Sequence, residues 1–249
     1  METAPTLPFQ IMVYWWGKCR LAQAAFEEEP MSPHQIKGVI FDLDGVLVST
    51  DNCHYLGWKR MADEEGIPFD REINQRLRGV SRMESLEIIL EKAGRAYTRE
   101  EKEALAARKN AYYVELIGNL RREDVLPGAL DTLALLRQMG IRMAIGSSSR
   151  NTPLILKQIG LEDAFDGIAD GNRIARSKPD PEVFVLAARL LALPPENCLV
   201  VEDADAGIEA AAAAGMRALG VGFASANHKA AWRAGNLAEV DWTQILTPV

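Results

Sequence analysis

The sequence predicts an α/β protein, a doubly wound parallel-sheet core with a helical cap domain inserted after the first strand. Three observations predict it. Short, near-continuous apolar runs alternate with helical stretches, the pattern of strands covered by helices on both faces. One long stretch right after the first apolar run is helical in period throughout and contains no strand. Two of the apolar runs, "VIF" and "CLVV", end in paired acidic residues, which puts both pairs at the same edge of one sheet.

Bulk properties fit an ordinary globular chain. At 249 residues it can bury most of its apolar surface in one core with a smaller insert. A hydrophobic share of 48% and a charged share of 25% exclude a disordered or fibrous protein. With 28 basic and 35 acidic residues the net charge is −7, so nothing attracts nucleic acid or an anionic membrane. Three scattered cysteines, Cys19, Cys53 and Cys198, suggest neither a disulfide framework nor a thiolate metal site. The apolar patch "FQIMVYWWG" is shorter than the roughly 20 residues a membrane span needs, and no basic region precedes it as in a secretory signal. A cytoplasmic protein is expected.

In chain order, residues 1–35 show no clear period and read as an N-terminal extension. Two accounts fit it: a disordered stretch upstream of a natural start at Met31, or a genuine extension whose Trp15 and Trp16 pack on the body or on a partner. Residues 36–49 and 121–249 form the predicted α/β core, with strands at "VIF", "IRMAIG", "GIAD", "CLVVED" and "RALGVGF". The helices between them carry credible ends: "GALDTLALLRQMG" stops on Gly140, "PDPEVFVLAARLLAL" has Pro181 near its start, and "DAGIEAAAAAG" stops on Gly215. Together they describe a Rossmann-like core. Residues 50–120 form the cap, with helical periods in "DNCHYLGWKRMADEEG", "RMESLEIILEKAG" and "TREEKEALAARKNAYYVELIG". A cap there lies over the carboxyl ends of the strands, where open α/β sheets bind ligands. Near the C terminus, "HKAAWRAGN" reads as a short surface helix, and Trp232 and Trp242 as packing residues.

Along an extended strand, residues i and i+2 share a face, so Asp42 and Asp44 point into one site if the extended geometry continues past Phe41. Glu202 and Asp203 form the second pair. Four crowded carboxylates repel one another unless a cation sits among them, and oxygen ligands of this hardness favour Mg²⁺. "AIGSSSRN" places Ser147, Ser148 and Ser149 between a strand and a helix expected to start near Pro153, where hydroxyls and free amides can hold phosphate oxygens. Lys178, before a Pro-opened helix, can offset charge on a transferring phosphoryl group.

Taken in order, Asp42-Leu43-Asp44-Gly45-Val46, Ser147, Lys178-Pro179, and Glu202-Asp203 followed by Ala206-Gly207-Ile208 resemble the haloacid dehalogenase superfamily of aspartate-dependent phosphotransferases, from about Ile36 to Phe223. The cap is similar to that of the β-phosphoglucomutase family, through His54 and Trp58, "RGVSRMES", "KNAYYV" and "SSSRN". Arg78 and Arg150 stand where lysine is expected from the best-studied type of that family.

The resemblance implies an isomerase that converts β-glucose 1-phosphate to glucose 6-phosphate through an aspartyl phosphate, with glucose 1,6-bisphosphate as primer and intermediate. It implies Asp42 as nucleophile and Asp44 as general acid and base with a raised pKa. It further implies Mg²⁺ held by the Asp42 carboxylate, the Asp44 main-chain carbonyl, Glu202 and Asp203, with Ser147 and Lys178 clamping the phosphoryl oxygens. Arg82, Ser149, Arg150 and Asn151 would grip the second phosphate. Trp58, Arg78, Gly79, Val80, Ser81 and Ser148 would meet the substrate. Thr50, His54 and Lys109 would couple cap closure to the placement of Asp44. The alternatives on the same scaffold are a Mg²⁺-dependent sugar-phosphate phosphatase and a mutase for another sugar 1-phosphate. A monomer acting on a small phosphosugar is expected, since the cap must swing.

Overall fold

The computed structural model of the protein describes residues 35–77 and 80–247. Of the extension only Gln35 is among them, and its carbonyl accepts a hydrogen bond from Asn197 Nδ2 at 2.6 Å. Met31, Trp15 and Trp16 lie outside the described residues.

Six strands form one parallel sheet: β1 (Gly38–Phe41), β2 (Arg142–Gly146), β3 (Gly167–Ala169), β4 (Cys198–Glu202), β5 (Arg217–Gly220) and β6 (Trp232–Arg233). Their order is β3-β2-β1-β4-β5-β6. The earliest strand is therefore central, with Phe41 in register with Ile145 on one side and Val201 on the other. Because side chains alternate along a strand, Val39 and Phe41 enter one apolar layer while Ile40 enters the other. The first layer is completed by α5 (Ala129–Gln138), α6 (Thr152–Gln158) and α9 (Trp242–Leu246), the second by α7 (Glu182–Leu190) and α8 (Asp205–Ala213). Residues such as Phe41, Ile40 and Phe184 are fully buried, each worth about 2–3 kcal/mol.

Among the described residues, four α-helices lie between β1 and α5: α1 (Asp51–Glu64), α2 (Arg71–Gln75), α3 (Arg82–Leu90) and α4 (Arg99–Ile117). They enclose a separate apolar cluster of Trp58, Met61, Leu86, Ile89 and Leu105 with their neighbours. Capping boxes, Ser81 with Glu84 and Thr98 with Glu101, fix the starts of α3 and α4. The two connections to this helical block run side by side at its root. Val48 and Val125 form an antiparallel bridge, and Leu126 N donates to Leu47 O at 2.8 Å.

One local expectation is corrected, and one condition is not met. "HKAAWRAGN" contains no helix. Its centre is β6, which lays Trp232 and Arg233 beside β5, with Ala231 N donating to Ala218 O and Ala234 N to Gly220 O. Without it, the edge of β5 would present unpaired backbone groups. The extended geometry of β1 also stops at Phe41. The chain turns instead at Gly45, whose φ of +83° and whose approach to Asp203 exclude a Cβ.

Candidate active site

The carboxyl ends of β1, β2 and β4 open into a cavity of about 1040 Å³ between the sheet and the helical block. Asp42 and Glu202 follow directly from buried strands and are themselves buried. Lys178 reaches between them, donating to Asp42 Oδ1 at 2.5 Å and to Glu202 Oε2 at 2.8 Å. Glu202 Oε1 accepts from the backbone N–H groups of Asp203 and Ala204 at 3.2 and 3.1 Å. Asp42, Glu202 and Asp203 each offer an oxygen within 4.8 Å of the other two.

Charge within this cluster is incompletely balanced by the protein. Burial, reinforced by Asp42 and Glu202, pushes the Asp203 carboxyl up to about 8. Burial also raises Glu202, against the pull of Lys178. Burial alone would lower Lys178, but Asp42 and Glu202 hold it above its ordinary value. A set of hard oxygen donors in which one cation serves three carboxylates fits a divalent ion such as Mg²⁺.

Asp44 shares the cavity but not the cluster. A bend at Leu43 separates the two aspartates, and the Asp44 carboxylate accepts from Thr50 N and Thr50 Oγ1, each at 2.6 Å. Thr50 Oγ1 accepts in turn from the buried Tyr113 hydroxyl at 3.0 Å. Desolvation in the cleft outweighs those Thr50 bonds and raises Asp44 to about 6, although 37% of its side chain still reaches solvent.

His54 lies next to this group, with Nε2 4.0 Å from Asp44 Oδ2 and its ring 4.1 Å from that of Tyr113. Its Nδ1 meets Lys109 Nζ at 2.8 Å. Burial, with Lys109 and Arg82 adding to it, pushes His54 well below its ordinary value, so the ring is neutral. A neutral imidazole that accepts from Lys109 at Nδ1 carries its proton on Nε2, facing Asp44.

Lys109 is 3% exposed, set between the rings of Trp58 and Tyr113 at 4.7 Å from each. Burial lowers it to about 7, with Arg82 contributing. The lysine therefore costs stability wherever the unfolded chain is protonated, with the full cost below about pH 7 and relief as pH rises towards 10.5. Lys109→Met is expected to melt several degrees above the parent at pH 6.5, with the gap narrowing by pH 9. Thermal melts across that range check it, and a gap that widens with pH counts against the assignment.

A second group of donors lines the same cavity. Asn110 Oδ1 accepts from Arg82 Nη2 at 2.8 Å and from Asn151 Nδ2 at 3.1 Å, joining α3, α4 and the loop before α6. Burial and the nearby Arg150 both lower Arg82. Among the described residues no carboxylate pairs with either guanidinium. Ser147 and Ser149 lie on the loop that runs from the end of β2 to Asn151, with Ser149 N donating to Ser147 Oγ at 3.2 Å. Ser148 Oγ is buried without a partner among the described residues.

Trp58, at 2% exposure, contributes an edge to the cavity, and Val80 and Ser81 line its rim. Arg78 and Gly79 lie outside the described residues. Sequence reasoning gave Asn110 and Tyr113 no role, although both fall within "KNAYYV". Tyr113 was within reach of it, since Leu105, Lys109, Tyr113 and Ile117 recur every four residues and all are buried. Asn110 gave no such signal, because its partners are distant in the chain.

Among the described residues no helix is long and apolar enough to cross a membrane. Residues 36–215 match the family model of haloacid dehalogenase-like hydrolases. The chain is 48% identical to β-phosphoglucomutase of Bacillus subtilis over 189 residues, 75% of this chain and 84% of that protein. It is 31% identical to a phosphorylated carbohydrates phosphatase of Thermotoga maritima, over 85% of this chain and 97% of that protein. The crystal structure of β-phosphoglucomutase from Clostridium difficile superposes with a TM-score of 0.79 at 38% identity, covering 84% of this chain and 95% of that one. The chain is therefore an enzyme of the haloacid dehalogenase-like hydrolase family and, within it, belongs with the β-phosphoglucomutases.

Proposed function

We propose that the enzyme is a phosphosugar mutase that converts β-glucose 1-phosphate to glucose 6-phosphate through a bound glucose 1,6-bisphosphate. The observation that carries this reading is the second, uncompensated cationic group, Arg82 with Arg150 and Asn151, in the same cavity as the Asp42–Lys178–Glu202 cluster. Hydrolysis of a monophosphate needs one phosphate grip; a bisphosphate intermediate needs two.

In this reading Asp42, carrying a phosphoryl group as an aspartyl phosphate, passes it to the sugar 6-hydroxyl while Asp44 takes the hydroxyl proton. The bisphosphate then turns over in the cavity. Asp42 attacks the 1-phosphate, and Asp44 returns the proton to the departing C1 oxygen, which regenerates the aspartyl phosphate and releases glucose 6-phosphate. Ser147 and Lys178 hold the equatorial oxygens during both transfers. Mg²⁺, held by the Asp42 and Asp203 carboxylates, Glu202 and the Asp44 carbonyl, would supply charge neutralisation at the phosphoryl group.

The non-reacting phosphate rests on Arg82, Arg150, Ser149 and Asn151, for which a guanidinium is suited by its paired N–H groups. His54 and Lys109 carry cap movement to Asp44. With the cap shifted by about 1 Å, the His54 Nε2–H would come within hydrogen-bond reach of Asp44 and compete with Thr50 for it. A monomer suffices, because one chain supplies every group named.

The test is a coupled assay with β-glucose 1-phosphate, Mg²⁺ and a trace of glucose 1,6-bisphosphate, in which glucose 6-phosphate is expected to accumulate. Free phosphate released from several sugar phosphates, with no isomerisation, would establish the phosphatase alternative that the similarity to the Thermotoga enzyme keeps in view. Arg82→Ala separates the two. Losing a charge-assisted phosphate contact worth about 3 kcal/mol lowers mutase kcat/KM roughly a hundredfold, and hydrolysis of para-nitrophenyl phosphate is expected to fall far less. Equal losses count against the mutase.

A further inference from the structure

We propose that Asn110 is a positioning residue that sets Arg82 of the helical block against Asn151 of the core, so that both meet the second phosphate of a sugar bisphosphate together. This inference rests on the mutase reading. A guanidinium has no acceptor, so the Asn110 atom at 2.8 Å from Arg82 Nη2 is the carboxamide oxygen, and the same oxygen then takes its second bond from Asn151 Nδ2. The three side chains are rooted in rigid places. Arg82 opens α3 directly after the Ser81–Glu84 capping box, Asn110 lies mid-helix in α4, and Asn151 is held at the start of α6 by its N–H to Ser149 Oγ at 3.2 Å.

The choice of amide over carboxylate follows from the chemistry of the ligand. Arg82 and Arg150 repel each other, so without a fixed acceptor Arg82 would swing away from the loop that bears Arg150 and Asn151. A carboxylate at position 110 would hold it but cancel its charge and compete with the phosphate. A neutral oxygen occupies one N–H edge and leaves the cation and its remaining donors to the ligand.

The test is a double-mutant cycle in the full-length enzyme with Arg82→Ala, Asn110→Ala and the double variant, reading mutase KM and kcat together with para-nitrophenyl phosphate hydrolysis. Asn110→Ala is expected to raise the KM for glucose 1,6-bisphosphate about tenfold with kcat within about threefold, and its loss in hydrolysis is to be several times smaller. In the Arg82→Ala background the same substitution is expected to cost less than about twofold, because its effect is routed through Arg82. Asn110→Asp, nearly isosteric, carries the test if Asn110→Ala does not fold, and is expected to raise that KM further.

A tenfold effect that persists without Arg82, equal losses in both activities, or an Asn110→Asp variant with unaltered KM overturns the proposal while the mutase reading stands. If Arg82→Ala itself weakens mutase turnover and hydrolysis equally, the mutase reading falls and this inference falls with it.

Discussion

Asp42→Asn is expected to remove phosphoryl transfer from the enzyme entirely, with turnover down by at least about four orders of magnitude, equivalent to about 5.5 kcal/mol of barrier. An amide oxygen in place of the carboxylate has little nucleophilicity and cannot form the acyl phosphate that both halves of the proposed reaction share. The fold is expected to survive. Asp42 is one of three clustered carboxylates, and its charge helps push Asp203 up to about 8, so neutralising it relieves repulsion while leaving an oxygen for Lys178. Turnover, hydroxylamine-labile phosphate on the protein after exposure to bisphosphate, and the melting temperature measured without metal are the three readouts. Residual turnover near a tenth of the parent, or a melting temperature several degrees lower, would contradict this account of the site.

Lys178→Met is expected to do comparable damage for the opposite reason. The side chain is 8% exposed and bonds two carboxylates whose own exposures are 11% and 2%. Removing one partner from a buried charge cluster costs about 3–5 kcal/mol, and loss of the cation from the phosphoryl site lowers kcat by about a thousandfold. The pH dependence has a defined sign. Burial holds Glu202 and Asp203 above their unfolded values, so the folded state binds protons that the unfolded state releases, and acidification from pH 8 to pH 6 favours folding. Without Lys178 that trend steepens, and the variant is expected to lose less stability at pH 6 than at pH 8. Added Mg²⁺ is expected to raise its melting temperature more than that of the parent. A variant that loses as much stability at pH 6 as at pH 8 relative to the parent, or one insensitive to Mg²⁺, would refute the charge balance described here.

Much of this site could be read from the chain, because its parts sit where a local signal marks them. "VIF" and "CLVV" are apolar runs with acidic ends, and parallel pairing alone brings those ends together. Other parts depend on distant partners. Asn110 acquires its place only when residues 82 and 151 meet it, and nothing local in "KNAYYV" encodes that. A lysine on a charged helix ordinarily points to solvent, yet Lys109 occupies the apolar stripe of α4. The strand at Trp232–Arg233 is too short for a period to reveal it, and it forms because β5 offers it an edge. The parting of Asp42 and Asp44 begins at the bend at Leu43, and Gly45, in the left-handed region, turns the chain that leads on to Thr50, the partner of the second carboxylate.

The placement of the first strand at the centre of the sheet has a consequence for biosynthesis. Gly38–Phe41 leave the ribosome early, but the neighbours they pair with are Arg142–Gly146 and Cys198–Glu202. A nascent chain that has not yet passed Glu202 can satisfy only one side of this strand. Pairings of such long sequence separation form slowly, whereas α1 to α4 find their apolar partners within one continuous stretch. The order of emergence thus favours a helical block that is already folded on the nascent chain while the strand that will bear Asp42 still waits for its neighbours, exposed to chaperones and to aggregation.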